Sequence, residues 1–141
     1  MGDQVGEELK LGPGTRLRVI AHDVDELLLQ ATYAPAGSAP PAHLHPAQDE
    51  RFEVIAGAMR TRIDSQEAGL SEGEVLEIPH GTPHQMWNGG DREAVVEWRT
   101  RPAGRTLEWF GQLSAMLAGE SAADPAALLA EYADVFRLVE E

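Results

Sequence analysis

The chain contains no cysteine. Disulfides, thiolate nucleophiles, iron–sulfur clusters and zinc–thiolate sites are therefore excluded, and a reducing compartment suits the composition. Basic residues are scarce: 11 Lys and Arg stand against 24 Asp and Glu, a formal net charge of −13. Nucleic acid and anionic membrane surfaces need clustered Lys and Arg to displace counterions, so neither is an expected partner. Long apolar runs are missing too, and the opening MGDQVGEELK has neither the basic flank nor the apolar centre of a signal peptide. A cytoplasmic location is the expectation. The length of 141 residues suits one domain around a single core.

What is present is a run of short apolar segments, from Thr15 to about Arg101, broken by Gly, Pro, Asn and Asp. That pattern predicts an all-β region with many turns. DELLLQATYAPAG reads as a strand closed by Pro35 and Gly37, and ERFEVIAGAMRTRID as two strands joined near Gly57. Side chains alternate faces along a strand, so Glu50, Phe52 and Val54 share a face opposite Arg51 and Glu53. Met59, Thr61 and Ile63 oppose Arg60 and Arg62; His84 goes with Met86; Ala94, Val96 and Trp98 go together. The inner face is thus mostly apolar, yet it carries Glu50 and His84.

After Pro102 the periodicity becomes helical. Leu107, Phe110, Leu113, Ser114 and Leu117 fall on one stripe that stops before Gly119. DPAALLAEYADVFRLVEE follows, with Asp124 as N-cap, Pro125 at the first helical position, and a stripe of Leu128, Tyr132, Val135, Phe136 and Val139. The expected division is a flexible segment over 1–14, which could also supply an edge element, a β-barrel over 15–101, and a helical extension over 102–141.

Two histidines, His43 and His45, sit two apart after the proline-rich APAGSAPPA. In an extended chain both imidazoles point the same way and can share one ion. An HxH pair by itself is weak evidence, but Glu50 and His84 also turn inward. A buried carboxylate among imidazoles is costly unless a cation or hydrogen bonds compensate it. Three imidazoles and one carboxylate suit a first-row divalent metal. Asp49 faces outward by the same alternation, and His22 and His80 read as surface or turn residues.

The spacing of these residues carries a resemblance. Gly37, His43, His45, Glu50 and Gly57 are separated by five, one, four and six residues; Gly73, Pro79, Gly81, His84 and Asn88 by five, one, two and three. The two stretches resemble the paired motifs of the cupin superfamily, and the spacer between them is similar to that of bacterial single-domain cupins. The resemblance implies an all-β fold, a double-stranded β-helix or jelly-roll barrel, here followed by two C-terminal α-helices. It also implies that His43, His45, Glu50 and His84 hold one divalent transition metal, whether Fe, Mn, Ni, Cu or Zn. Asn88, in WNGGD, reads as a turn residue.

Phe52, Val54, Met59, Met86, Val96 and Trp98 are the expected lining of a pocket for a small-molecule substrate or ligand. Four protein ligands leave a metal position open for chemistry. The leading expectation is a metal-dependent enzyme, a dioxygenase-like oxidoreductase or an isomerase, acting on a small oxygenated organic molecule. The alternative is a non-catalytic cupin that binds or senses a small molecule. A homodimer is expected, both from the resemblance and because two apolar helix stripes need cover.

Overall fold

Alternation of large apolar residues with charged ones converts into strands whose inner faces meet in one core. The computed structural model describes residues 5–139. Its strands are β1 (Glu8–Lys10), β2 (Thr15–His22), β3 (Leu27–Tyr33), β4 (His43–Leu44), β5 (Asp49–Ala56) and β6 (Met59–Ile63). They continue as β7 (Gln66–Leu70), β8 (Val75–Ile78), β9 (His84–Trp87) and β10 (Ala94–Arg101). Then come helices α1 (Thr106–Leu117) and α2 (Pro125–Glu131), and a last strand, β11 (Arg137–Leu138).

The strands form two antiparallel sheets. The larger runs β1-β2-β3-β10-β5-β8 and the smaller β11-β4-β9-β6-β7. Leu17, Leu29, Val54 and Val96 from the first and Met59 and Leu70 from the second enter a single core cluster. This is a double-stranded β-helix, with consecutive strands such as β5 and β6 passing from one sheet to the other. β10 is central: it pairs with β3 on one side and β5 on the other. Its inner residues Ala94, Val96, Trp98 and Thr100 are all buried.

Turn chemistry holds the strand ends. Gly57, between β5 and β6, has φ +79, and a Cβ there would stand 2.6 Å from the Glu93 carbonyl oxygen. Only glycine accepts both conditions. Asn88 locks the turn after β9: its Nδ2 donates to Tyr33 O at 3.1 Å and Arg92 O at 2.8 Å, while its Oδ1 accepts from Gly90 N at 3.0 Å.

The two chain ends fare differently against the sequence reading. At the first, Glu8–Lys10 forms β1 against β2, the edge element that the reading allowed beside a flexible segment; residues 1–4 lie outside the described residues. At the other end, Asp124 caps α2 as expected, its Oδ2 accepting from Ala127 N at 3.0 Å. The helix stops at Glu131, however, short of Val139. Beyond it the chain turns, buries Tyr132 and Val135, and returns as β11 against β4. The extension is therefore two helices and a strand. Helical spacing persists in the sequence to Val139, but pairing with the open edge of β4 wins over local propensity. No helix among the described residues is long and apolar enough to cross a membrane.

Candidate metal centre

His43 on β4 and His84 on β9 are direct partners across an antiparallel pair. Directly opposed residues project to the same face, so their rings meet with centroids 4.4 Å apart. His45 follows β4 at the next same-face position, 5.1 Å from the His43 ring and 5.3 Å from that of His84. Each imidazole offers a ligand atom lying within 4.8 Å of the other two. Glu50 reaches them from the opposite sheet. Its Oε1 is 3.1 Å from His45 Nε2 and 3.1 Å from His84 Nε2. His45, Glu50 and His84 are 4%, 3% and 4% exposed, so solvent does not compensate these polar atoms.

The other ring nitrogens reveal the chemistry of the cluster. His45 Nδ1 lies 2.8 Å from Val135 O, His84 Nδ1 2.9 Å from Thr82 O, and His43 Nδ1 3.4 Å from Pro41 O. A carbonyl only accepts, so the Nδ1 of His45 and of His84 carries a proton, and in the neutral tautomer the Nε2 lone pair turns inward. Lone pairs on His45 and His84 then face the lone pairs of Glu50 Oε1. His45 Nε2 and Glu50 Oε1 are both buried atoms without a hydrogen-bond partner. A proton or a cation relieves that arrangement. Ligand atoms about 2.0–2.2 Å from a divalent ion stand about 3–4 Å from one another, which these separations approach. The donor set of three imidazoles and one carboxylate therefore fits a transition metal.

Titration behaviour follows from the same contacts. Burial lowers the pKa of His43 to about 3, the neighbouring His84 and His45 rings adding to the effect. Burial also opposes protonation of His45, but the Glu50 carboxylate beside it outweighs this and its pKa is raised. Burial would raise Glu50; the two imidazoles against its carboxylate overcome that and hold it well below the ordinary value. The carboxylate is further fixed by Trp98, whose Nε1 donates to Glu50 Oε2 at 2.7 Å.

The remaining residues singled out in the sequence fall in distinct places. Phe52, Val54, Met59 and Val96 are buried in the core cluster. Met86 and Trp98 border a cavity of about 420 Å³ whose walls also include Leu11, Tyr33 and Pro40. Asp49 is exposed and points away from the imidazoles. It accepts from His80 N at 2.8 Å and lies 2.9 Å from His80 Nδ1, tying down the loop that leads to His84.

Two contributors are not singled out by the sequence reading. Tyr33 ends β3 on its inner face, where burial pushes the phenol well above its ordinary pKa and the Glu50 charge adds to the effect. Its alternation with Leu27, Leu29 and Ala31 was available, but the turn at Pro35 obscured it. Val135, 90 residues from His45, reaches the site only through the tertiary return of the tail.

The geometry defines a β-barrel protein with an inward cluster of side chains that could hold a metal, drawn from its two sheets. The match of residues 29–98 to the Cupin_2 family, cupin domain, supports the cupin superfamily. One curated relative, the oxidoreductase iacF of Pestalotiopsis fici, is 43% identical over 49 residues, 34% of this chain and 24% of that protein. The alignment thus spans about a quarter of that relative's length. KdgF from Halomonas sp. superposes with a TM-score of 0.63 at 20% identity, covering 76% of this chain and 96% of that one. An RmlC-like cupin from Shewanella frigidimarina gives 0.63 at 15% identity, covering 76% and 92%. A sugar phosphate isomerase of the cupin superfamily from Silicibacter pomeroyi gives 0.55 at 21%, covering 62% and 59%. At these identities the superpositions speak for the fold alone.

Proposed function

We propose that this protein is a metal-dependent cupin enzyme that oxidises a small oxygenated organic molecule. In this reading His43, His45, Glu50 and His84 hold one divalent transition metal, whether iron, manganese, nickel, copper or zinc. The observation that carries it is the pair of buried, partnerless atoms His45 Nε2 and Glu50 Oε1, facing each other where a cation belongs. The short match to the oxidoreductase iacF favours redox chemistry over isomerisation.

A bound metal would supply Lewis acidity and, if redox-active, an electron route. The chain's own groups do the rest. The carbonyls of Val135 and Thr82 keep His45 and His84 in the tautomer that presents Nε2. Trp98 holds Glu50 in place. Met86 and Trp98 contribute apolar side chains to the cavity wall, while the Tyr33 hydroxyl, kept protonated, would offer a hydrogen bond to an oxygen of the substrate.

The test is metal analysis of the purified protein beside His43→Ala and Glu50→Gln, then oxygen uptake over diketones, flavonols and hydroxyketones. One metal per chain, lost in both variants, with turnover of one class is the expected result. Metal without turnover, but with thermal stabilisation by one of these compounds, would replace the enzyme with a small-molecule-binding cupin. A homodimer in the cytoplasm belongs to the same reading; size-exclusion chromatography giving a monomer would remove the dimer from it.

A further inference from the structure

The polypeptide beyond α2 does more than close the barrel. Val135 lends its carbonyl to His45 Nδ1, and the next residue, Phe136, lays its ring on His43 with centroids 4.8 Å apart and planes 23° from parallel. Phe136 also stacks on Trp109 of α1 at 4.8 Å and 28°, and meets the His45 ring edge-on with centroids 6.0 Å apart. The His43 imidazole is thereby part of a stack that continues through Phe136 to a buried indole. β11 then pairs Leu138 with His43 and Arg137 with Leu44, and Val139 N donates to Ala42 O at 2.9 Å. Two of the three histidines are therefore flanked by the consecutive tail residues Val135 to Val139.

That tail is anchored by one side chain at the far end of its turn. Arg105, which precedes α1, donates through Nε and Nη2 to the two Asp134 carboxylate oxygens at 3.0 and 2.6 Å. It also donates to Glu131 Oε1 at 3.0 Å and to the Glu131 carbonyl at 2.6 Å, and its guanidinium lies over the Tyr132 ring at 4.5 Å. This fork fixes the turn between α2 and Val135, and with it the register at which Val135 and Phe136 meet the imidazoles.

We propose that the C-terminal segment Val135–Leu138 is the positioning element of the metal centre, with Phe136 setting the His43 ring, Val135 setting the His45 tautomer, and Arg105 clamping the segment in place. The inference rests on the metal-binding reading above. Groups that orient metal-bound imidazoles commonly change affinity about 10- to 100-fold when removed. Phe136 and Arg105 are positioning residues, since neither offers an atom to the metal.

The experiment is titration of the purified full chain with cobalt(II) alone, recording affinity by chelator competition and the visible absorption of the bound ion, beside the melting temperature of the metal-free protein. Phe136→Leu should lower cobalt affinity at least about 10-fold and alter the absorption band, and Phe136→Tyr, which keeps the stacking ring, should restore both. Arg105→Gln, at a partly exposed position, should give a smaller loss in the same direction and serves if Phe136→Leu does not fold. A lower melting temperature with unchanged affinity and spectrum would mean that the tail is merely packing, and overturns the proposal while leaving the metal site standing. Wild-type protein that binds no cobalt overturns both readings.

Discussion

Trp98 and Glu50 meet diagonally across neighbouring strands. Trp98 is paired with Phe52, and Glu50 with Thr100, so the indole reaches two residues along the strand to donate to Glu50 Oε2 at 2.7 Å. The two carboxylate oxygens thereby have separate duties: Oε2 is held by the indole, and Oε1 faces the imidazoles.

Replacing Trp98 with Phe keeps a ring in the wall and removes the donor. A buried charged acceptor left unmade costs about 1–3 kcal/mol. Urea unfolding of the metal-free variant should show a loss of that order, and metal affinity should fall about 10-fold or more as Glu50 loses its support. Unaltered affinity would mean that the indole contact has no bearing on the ligand set.

Proton competition should extend to higher pH than a free imidazole allows. A metal bound there would have to displace a proton from His45, whose pKa lies above the ordinary imidazole value of 6.5 because the Glu50 attraction outweighs burial. Apparent affinity is therefore expected to keep rising with pH beyond that value, and to level off earlier in Glu50→Gln. The sign for folding agrees: in the metal-free protein the His45 contribution is present below its unfolded pKa and is lost as pH rises through the folded one. Titrations from mildly acidic to mildly alkaline pH decide it, and identical profiles for the two proteins would count against the Glu50–His45 coupling.

Tyr33→Phe separates ligand recognition from metal binding. The substitution removes a hydroxyl from the cavity wall while keeping the ring that fills it. One hydrogen bond is worth about 0.5–1.5 kcal/mol net, so binding of an oxygenated ligand should weaken about two- to tenfold. Metal content should not change. Equal ligand affinity in both proteins would place the substrate oxygens elsewhere.

Gly57→Ala tests the strand connection. With φ +79 and the Glu93 carbonyl oxygen 2.6 Å from the added methyl, the variant has to strain the backbone and displace a neighbouring strand. Strain of this kind costs about 1–3 kcal/mol, so a clear drop in melting temperature is expected. An unchanged melting temperature would show that the turn relaxes freely.

The strand faces were legible because alternation is local. Glu50, Phe52 and Val54 were separated from Arg51 and Glu53 by parity alone, and the structure buries the first three. The same parity set Asp49 apart from Glu50. What escaped was everything that depends on register between distant segments. The diagonal from Trp98 to Glu50 requires knowing which residue of β10 faces which residue of β5. The tail was read as helix because its apolar spacing is helical through Val139, and nothing local in DVFRLV reports that an unpaired edge of β4 awaits it.

The placement of the cluster has a mechanical meaning. His43 and His84 belong to the smaller sheet and Glu50 to the larger, so the inward groups approach one another from opposite walls of the barrel. An ion held by all of them would act as a rivet through both walls. Loading and rigidity then become one event: with the rivet in place, amide hydrogens of the short strands β4 and β9 would exchange only when the walls part together, and with it withdrawn each wall would breathe on its own.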